Sequence, residues 1–302
     1  MSPSLTLSGD FQQLDLDPLC DELRRLPGWS GEEPALVDLQ DVQSMDPTPL
    51  AVLLASLGGL CERQIWDPLE HIKPPSRGKG VDCLHPEKLN HLLNEGSGHW
   101  QEIANESTIL GCESFAGFRG VDGVTRSLYK KLAVHTDWSA SSLKSMSGMI
   151  FELSENVIQH SRTTGGIAVL QMRPADQRVV LAIADNGIGI RESLAHNPEF
   201  SHMKDDLAAI AKAMGPRTTG EPGTGGGMGL FLARCLVRSN GGNFVVRSGE
   251  ACREENDALC DSVDLPPLHG TLVSVEARTD LPFEYDRSVE AMLSQYEAAA
   301  TD

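Results

Sequence analysis

Residues 141–161 read SSLKSMSGMIFELSENVIQHS, and 165–189 continue GGIAVLQMRPADQRVVLAIADNGIG. In the first stretch Leu143, Met146, Met149, Ile150, Leu153 and Val157 recur at three- and four-residue steps, the period of a helix with one buried face. Ser139 and Ser141 are available as N-caps, so a long amphipathic helix is predicted over 141–161, stopped by Gly165-Gly166. Ile167–Met172 and Val179–Ala184 are β-branched and apolar runs on either side of a Pro-Ala-Asp turn, predicting two neighbouring strands. Downstream, 207–214 reads as a short helix. Six of the ten residues in Gly220–Gly229 are glycine, a mobile segment, and 230–237 is helical up to Asn240-Gly241-Gly242. Strands at 244–247 and 272–275 flank an acidic insertion, 250–264, and the tail carrying Val289, Met292, Leu293 and Tyr296 fits a docking helix. Upstream, Ser4–Leu7, the stretch around Leu14 to Leu26, Ala35–Leu39 and Leu50–Leu60 read strand, helix, strand, helix. The pattern is α/β throughout. Punctuation from Pro74-Pro75 to Gly96-Ser97-Gly98 marks a boundary near residue 98.

The 302 residues carry 25 Lys and Arg against 43 Asp and Glu, a net charge of −18. Such a surface repels phosphate backbones and anionic lipid, which argues against general nucleic-acid or membrane-surface binding. The run LAVLLASLGGL, 50–60, is too short to cross a bilayer, and MSPSLTLSGD lacks the basic start and apolar core of a signal peptide. A cytoplasmic location is the expectation. Seven scattered cysteines without a C-x-x-C pair argue against a disulfide framework or structural zinc, and read as buried reduced thiols.

Four local features carry chemistry, and each has a plain alternative. Glu152, Asn156 and His160 stand at i, i+4 and i+8 on the long helix. That is a solvated stripe, or an amide oxygen suited to Mg²⁺ beside a carboxylate that deprotonates a water or hydroxyl. Asp185-Asn-Gly187-Ile-Gly189 directly after a strand is a hairpin turn, or a floor whose carboxylate accepts from an exocyclic amine while the glycines admit a planar base. Gly223-Thr-Gly225-Gly-Gly227-Met-Gly229-Leu230 is a linker, or a backbone cradle for phosphates feeding a helix N-terminus. It lacks the Lys-Ser/Thr of a P-loop. His269-Gly270-Thr271 before a strand is a turn in most proteins.

Taken in order, these four features over residues 100–280 resemble the GHKL ATP-binding superfamily of gyrase-type topoisomerases, large heat-shock chaperones, histidine kinases and MutL-type ATPases. The resemblance implies a Bergerat-type α/β sandwich in which helices and a mixed sheet hold ATP. It implies Asp185 on the adenine amino group, Gly187 and Gly189 on the base edge, and Asn156 on Mg²⁺. Gly225, Gly227 and Gly229 would take the phosphates, and Thr271 a water-mediated adenine contact.

Glu152-Leu-Ser-Glu-Asn156-Val-Ile-Gln-His160 is most similar to the serine-kinase anti-sigma branch. His135, in AVHTDWS, lacks the context of a histidine-kinase phosphoacceptor. Only about twenty residues follow the ATP module, so a second domain supplying a γ-phosphate lysine is not expected. Residues 5–9 and 37–54 resemble a STAS domain, the fold of the antagonists that this branch phosphorylates. Thr48, after Asp46, stands near the phosphorylated position, although Pro47 and Pro49 depart from the pattern. The expected organisation is therefore a STAS-like domain (1–98), a GHKL domain (99–280) and a helical tail (281–302). Three activities follow: kinase-like transfer to a protein assisted by Glu152, an ATP-gated interaction switch with little turnover, or a slow ATPase. ATP, Mg²⁺ and a protein partner are implied, and homodimers are common in the superfamily.

Overall fold

The computed structural model describes residues 4–12, 16–24, 36–64, 66–76, 81–94, 101–104, 108–220, 227–285, 290, 291 and 294. In the N-terminal third, β1 (Ser4–Phe11), α1 (Asp17–Leu23), β2 (Leu36–Met45), α2 (Pro47–Glu62), α3 (Pro68–His71), β3 (Ile72–Lys73) and α4 (Pro86–Asn94) build a small parallel sheet of order β1-β2-β3 and its helices. Strand, helix, strand, helix is the order expected, with β2 running on to Met45. Leu14 and Leu26 lie outside the described residues.

The remainder follows as β4 (Gln101–Ala104), β5 (Ile109–Ala116), α5 (Gly117–His135), α6 (Ala140–His160), β6 (Gly165–Arg173), β7 (Arg178–Ala184), α7 (Gly189–Ala195) and α8 (Asp206–Ala213). After these come α9 (Gly229–Ser239), β8 (Asn243–Gly249), β9 (Ala251–Glu255), β10 (Leu259–Ser262) and β11 (Leu268–Arg278). Eight strands form one sheet, β10-β9-β8-β11-β7-β6-β5-β4.

Every neighbouring pair in that sheet is antiparallel, which corrects the expectation of a mixed sheet. The reason lies in the connections. α5 carries the chain away and α6 brings it back, so β6 starts at Gly165 opposite Ala116, where β5 ended. β6–β7 and β8–β9 are hairpins turned by Gln177 (φ 54°) and Gly249 (φ 61°). The stretch 250–264 is likewise no insertion. It forms β9 and β10, because Glu255 is buried under an ion pair with Arg234 and a 2.8 Å contact with Arg238 of α9, while Arg253 and Asp261 pair across the hairpin.

α6 runs as predicted, with Ser139 Oγ accepting from Ser142 N at 3.0 Å as its N-cap. The helix ends at Ser161 rather than at the two glycines. Gly165 and Gly166 open β6, where a Cβ on Gly165 would overlap the Phe115 carbonyl. One face of the large sheet packs on α5, α6, α8 and α9 through Leu128, Met146, Ile150, Phe231 and Phe244. The other face, with Leu110, Ile167, Val169, Ala182 and Leu272, shares a core with α2 and the parallel sheet. α2 is apolar nearly all round, as a helix buried on several sides must be. Of the predicted tail helix, Glu290, Ala291 and Ser294 are helical, while Val289, Met292, Leu293 and Tyr296 lie outside the described residues. All seven cysteines are free. Cys20, Cys83, Cys112 and Cys235 are buried as expected, whereas Cys260 on β10 is exposed. Among the described residues no helix is long and apolar enough to cross a membrane.

Candidate functional site

The apolar stripe of α6 faces the sheet, which turns its polar edge toward α9. Gly229, the first residue of α9, rests on that edge: a Cβ there would lie 3.0 Å from Glu152 Oε2 and 3.2 Å from Asn156 Nδ2. The N-terminus of α9, the positive end of its helix dipole, therefore stands over Glu152 and Asn156. Glu152 is exposed at the rim. Partial burial of its carboxyl, with Glu155 second, raises its pKa above the ordinary glutamate value.

At the other end β7 delivers Asp185 into the interior, only 5 % exposed. Its Oδ1 accepts from Gly187 N at 2.8 Å, and its backbone N donates to Thr271 O at 3.0 Å. Burial pushes the Asp185 carboxyl up to about 7, against hydrogen bonds from the Gly187 and Thr271 N–H groups that favour the charged form. Two backbone donors leave lone pairs of the carboxylate available to a further donor.

Between these ends lies a cavity of about 390 Å³. Glu152, Asn156, Asp185, Gly189, Gly227, Gly229 and Thr271, all singled out from the sequence, line it. His160, Ile190, Thr218, Gly220, Met228 and Val273 line it too. Gly187 does not: a Cβ there would overlap the Ser161 carbonyl, so this glycine serves the close approach of the loop to the end of α6. Ile188 N donates to the same carbonyl at 2.9 Å. Gly225 lies outside the described residues. Thr48 is far from the cavity, fully buried in α2 on the opposite face of the sheet, with its hydroxyl 2.9 Å from Ser274 Oγ. His135 closes α5 and is not part of the cavity lining.

Sequence reasoning noted Gly270 only as part of the His269-Gly270-Thr271 turn and missed Ser248. Gly270 (φ +83°) runs so close behind Asp185 that a Cβ would overlap the Asp185 carbonyl oxygen and lie 2.7 Å from Oδ1. Its place beside Thr271 in a turn was the only local signal. Ser248 had none. Thr218 N donates to Gly227 O at 3.1 Å, which joins the two ends of the glycine segment at the cavity mouth. Among the described residues no group of three His, Cys, Asp or Glu side chains could hold a metal ion.

Helices on one face of an antiparallel sheet, with a cavity between that sheet and helices α6 and α9, define an α/β sandwich. Residues 143–278 match the family described as histidine kinase-, DNA gyrase B-, and HSP90-like ATPase, and they form a domain of that family, the GHKL superfamily. The match implies ATP binding. No curated protein matches the chain.

Proposed function

We infer that this chain is a Mg²⁺-dependent ATP-binding regulatory protein that transfers phosphate to a protein hydroxyl. The observation carrying this reading is the arrangement of one cavity between a buried carboxyl, Asp185, and a helix N-terminus set over Glu152 and Asn156. Asp185 accepts from the adenine amino group, and Gly189, which lines the cavity, meets the base edge. Thr271 reaches the base through water. Gly225, Gly227 and Gly229 with the N–H groups of α9 take the phosphates. Asn156 supplies an amide oxygen to Mg²⁺. An amide oxygen is a hard donor of the kind Mg²⁺ takes, and the ion would be shared with the nucleotide's phosphates. When bound, the ion offsets charge on the transferred group. Glu152, whose pKa is raised, accepts the hydroxyl proton.

The N-terminal region, 1–98, is read as a STAS-like regulatory domain, supported by its alternating strands and helices around a parallel sheet. In this packing Thr48 reaches no phosphoryl donor, and its phosphorylation would require α2 to leave the sheet. The protein works in the cytoplasm with a protein partner. A second reading, an ATP-gated switch with little turnover, draws support from the Thr218–Gly227 hydrogen bond, which a bound phosphate can reorganise at the mouth.

The test follows γ-labelled ATP with Mg²⁺ in wild type, Asp185→Asn and Glu152→Ala. Asp185→Asn is expected to lose bound nucleotide. Glu152→Ala is expected to keep nucleotide and lose transfer to a protein. Retained label without transfer in the wild type, with partners supplied, selects the switch, and free phosphate dependent on Glu152 selects the ATPase. No retained nucleotide in the wild type overturns the reading.

A further inference from the structure

Ser248 sits at the end of β8, 3 % exposed, opposite Thr271 in the β8–β11 ladder. The ladder breaks there: the register shifts between Leu268 and Thr271, which takes the Gly270 carbonyl out of the regular pairing. Ser248 Oγ donates to that carbonyl at 2.9 Å. The same oxygen accepts from Ile190 N at 3.0 Å, an N–H in the first turn of α7 with no partner inside its helix. One hydroxyl thus joins two backbone segments separated by eighty positions. Both segments carry the floor of the cavity: Asp185–Gly189 runs into Ile190, and Gly270 leads into Thr271. The fit is close on each side. A Cβ on Gly189 (φ +77°) would lie 2.8 Å from Ser248 Oγ, and Gly270 itself presses on the Asp185 carboxyl. Only a group that donates and accepts at one atom can bridge a carbonyl and an N–H, which a hydroxyl does and an alkyl side chain does not.

We propose that Ser248 is a positioning residue for base recognition, setting the distance between the Asp185 carboxyl and the Thr271 edge so that both meet an exocyclic amine of the ligand. This rests on the reading of the cavity as an ATP site. Removing the hydroxyl strands a buried carbonyl and a buried N–H, and Ile190 and Gly270 lose their bridge on either side of the Asp185–Thr271 hydrogen bond, at the end of the cavity that reads the base. The phosphate end, built by α6 and α9, has no contact with Ser248 and stays as it was.

The experiment measures binding of ATP and of inosine triphosphate, which carries a carbonyl in place of the amine, to the full chain and to Ser248→Ala, Ser248→Thr and Asp185→Asn. Ser248→Ala is expected to weaken ATP about tenfold, the order of one buried hydrogen bond, and to shrink the preference for ATP over inosine triphosphate by the same factor. Ser248→Thr, which keeps the hydroxyl, is expected to restore the preference. Equal weakening of both nucleotides would make Ser248 a general stability residue, and an unchanged preference would overturn the proposal outright. Should Ser248→Ala fail to fold, Ser248→Cys, a weak donor at the same place, carries the same comparison. A wild type with no preference for ATP, or one whose preference survives in Asp185→Asn, would remove the base reading itself rather than the role of Ser248.

Discussion

Asp185 is the residue where stability and ligand recognition oppose each other. A carboxyl whose pKa moves from 3.8 to about 7 on folding prefers its neutral form in the folded state by about 4 kcal/mol. The folded chain therefore holds the proton more tightly than the unfolded one. This contribution to stability is full below pH 3.8 and is lost as pH rises through 7. Asp185→Asn is expected to melt several degrees above wild type at pH 8, with the difference closing by pH 4. Thermal unfolding across that range checks it, and parity at pH 8 would show that the carboxylate is solvated. For the same reason a ligand amine that needs the charged form must displace a proton. ATP affinity is expected to fall about tenfold per pH unit below 7, with proton release visible as a buffer-dependent heat of binding. A flat profile from pH 5 to 8 would exclude Asp185 as the titrating contact.

At the level of elements, the loop after β7 is held by the end of α6. Ser161 O accepts from Ile188 N, and Gly187 passes close against the same carbonyl. Because the obstacle is backbone and cannot rotate away, Gly187→Ala is expected to cost about 1–3 kcal/mol. It should also weaken ATP, since the loop that moves carries Asp185. Denaturant unfolding and a binding titration read the two effects, and full stability would mean that the loop has slack. α6 was legible because six apolar residues keep a helical period over fifteen positions. α5, of equal regularity in Val121, Val124, Leu128 and Leu132, escaped notice because Gly117, Gly120 and Gly123 weaken the local signal. Gly120 is there for packing: a Cβ would come within 3.2–3.3 Å of Phe115. Propensity and tertiary fit disagree at that helix, and fit prevails.

Across the whole molecule, the N-terminal region and the large sheet share a core, and ion pairs fasten its rim. Arg247 on β8 is 3 % exposed and reaches Asp17 of α1 at 2.7 Å, with Pro266 O accepting at 2.9 Å. Asp17 is half exposed. The two ends of the pair are therefore unequal: Asp17→Ala strands a buried guanidinium, whereas Arg247→Met leaves a carboxylate that water can solvate. Asp17→Ala is expected to lose about 2–4 kcal/mol and Arg247→Met less, a ranking that unfolding of the two variants decides. No loss in Asp17→Ala would show that Arg247 draws its stability from Pro266 alone. The burial of Thr48 against Ser274, 226 positions away, belongs to this same interface.

Helices α6, α8 and α9, strands β6, β7, β8 and β11, the four motifs and both polar ends of the cavity were legible in the sequence. Each depends on a period of two to four residues or on a glycine beside a polar group, patterns that a short window contains. Tertiary structure alone decided that α2 covers the second face of the sheet, that Gly187 serves α6 rather than the cavity, and that Ser248 bridges Ile190 and Gly270. It also decided that the Asp185 carboxyl rises to about 7. These are properties of burial and of contacts between residues far apart in the chain. They arise only when the sheet closes and removes water from both of its faces.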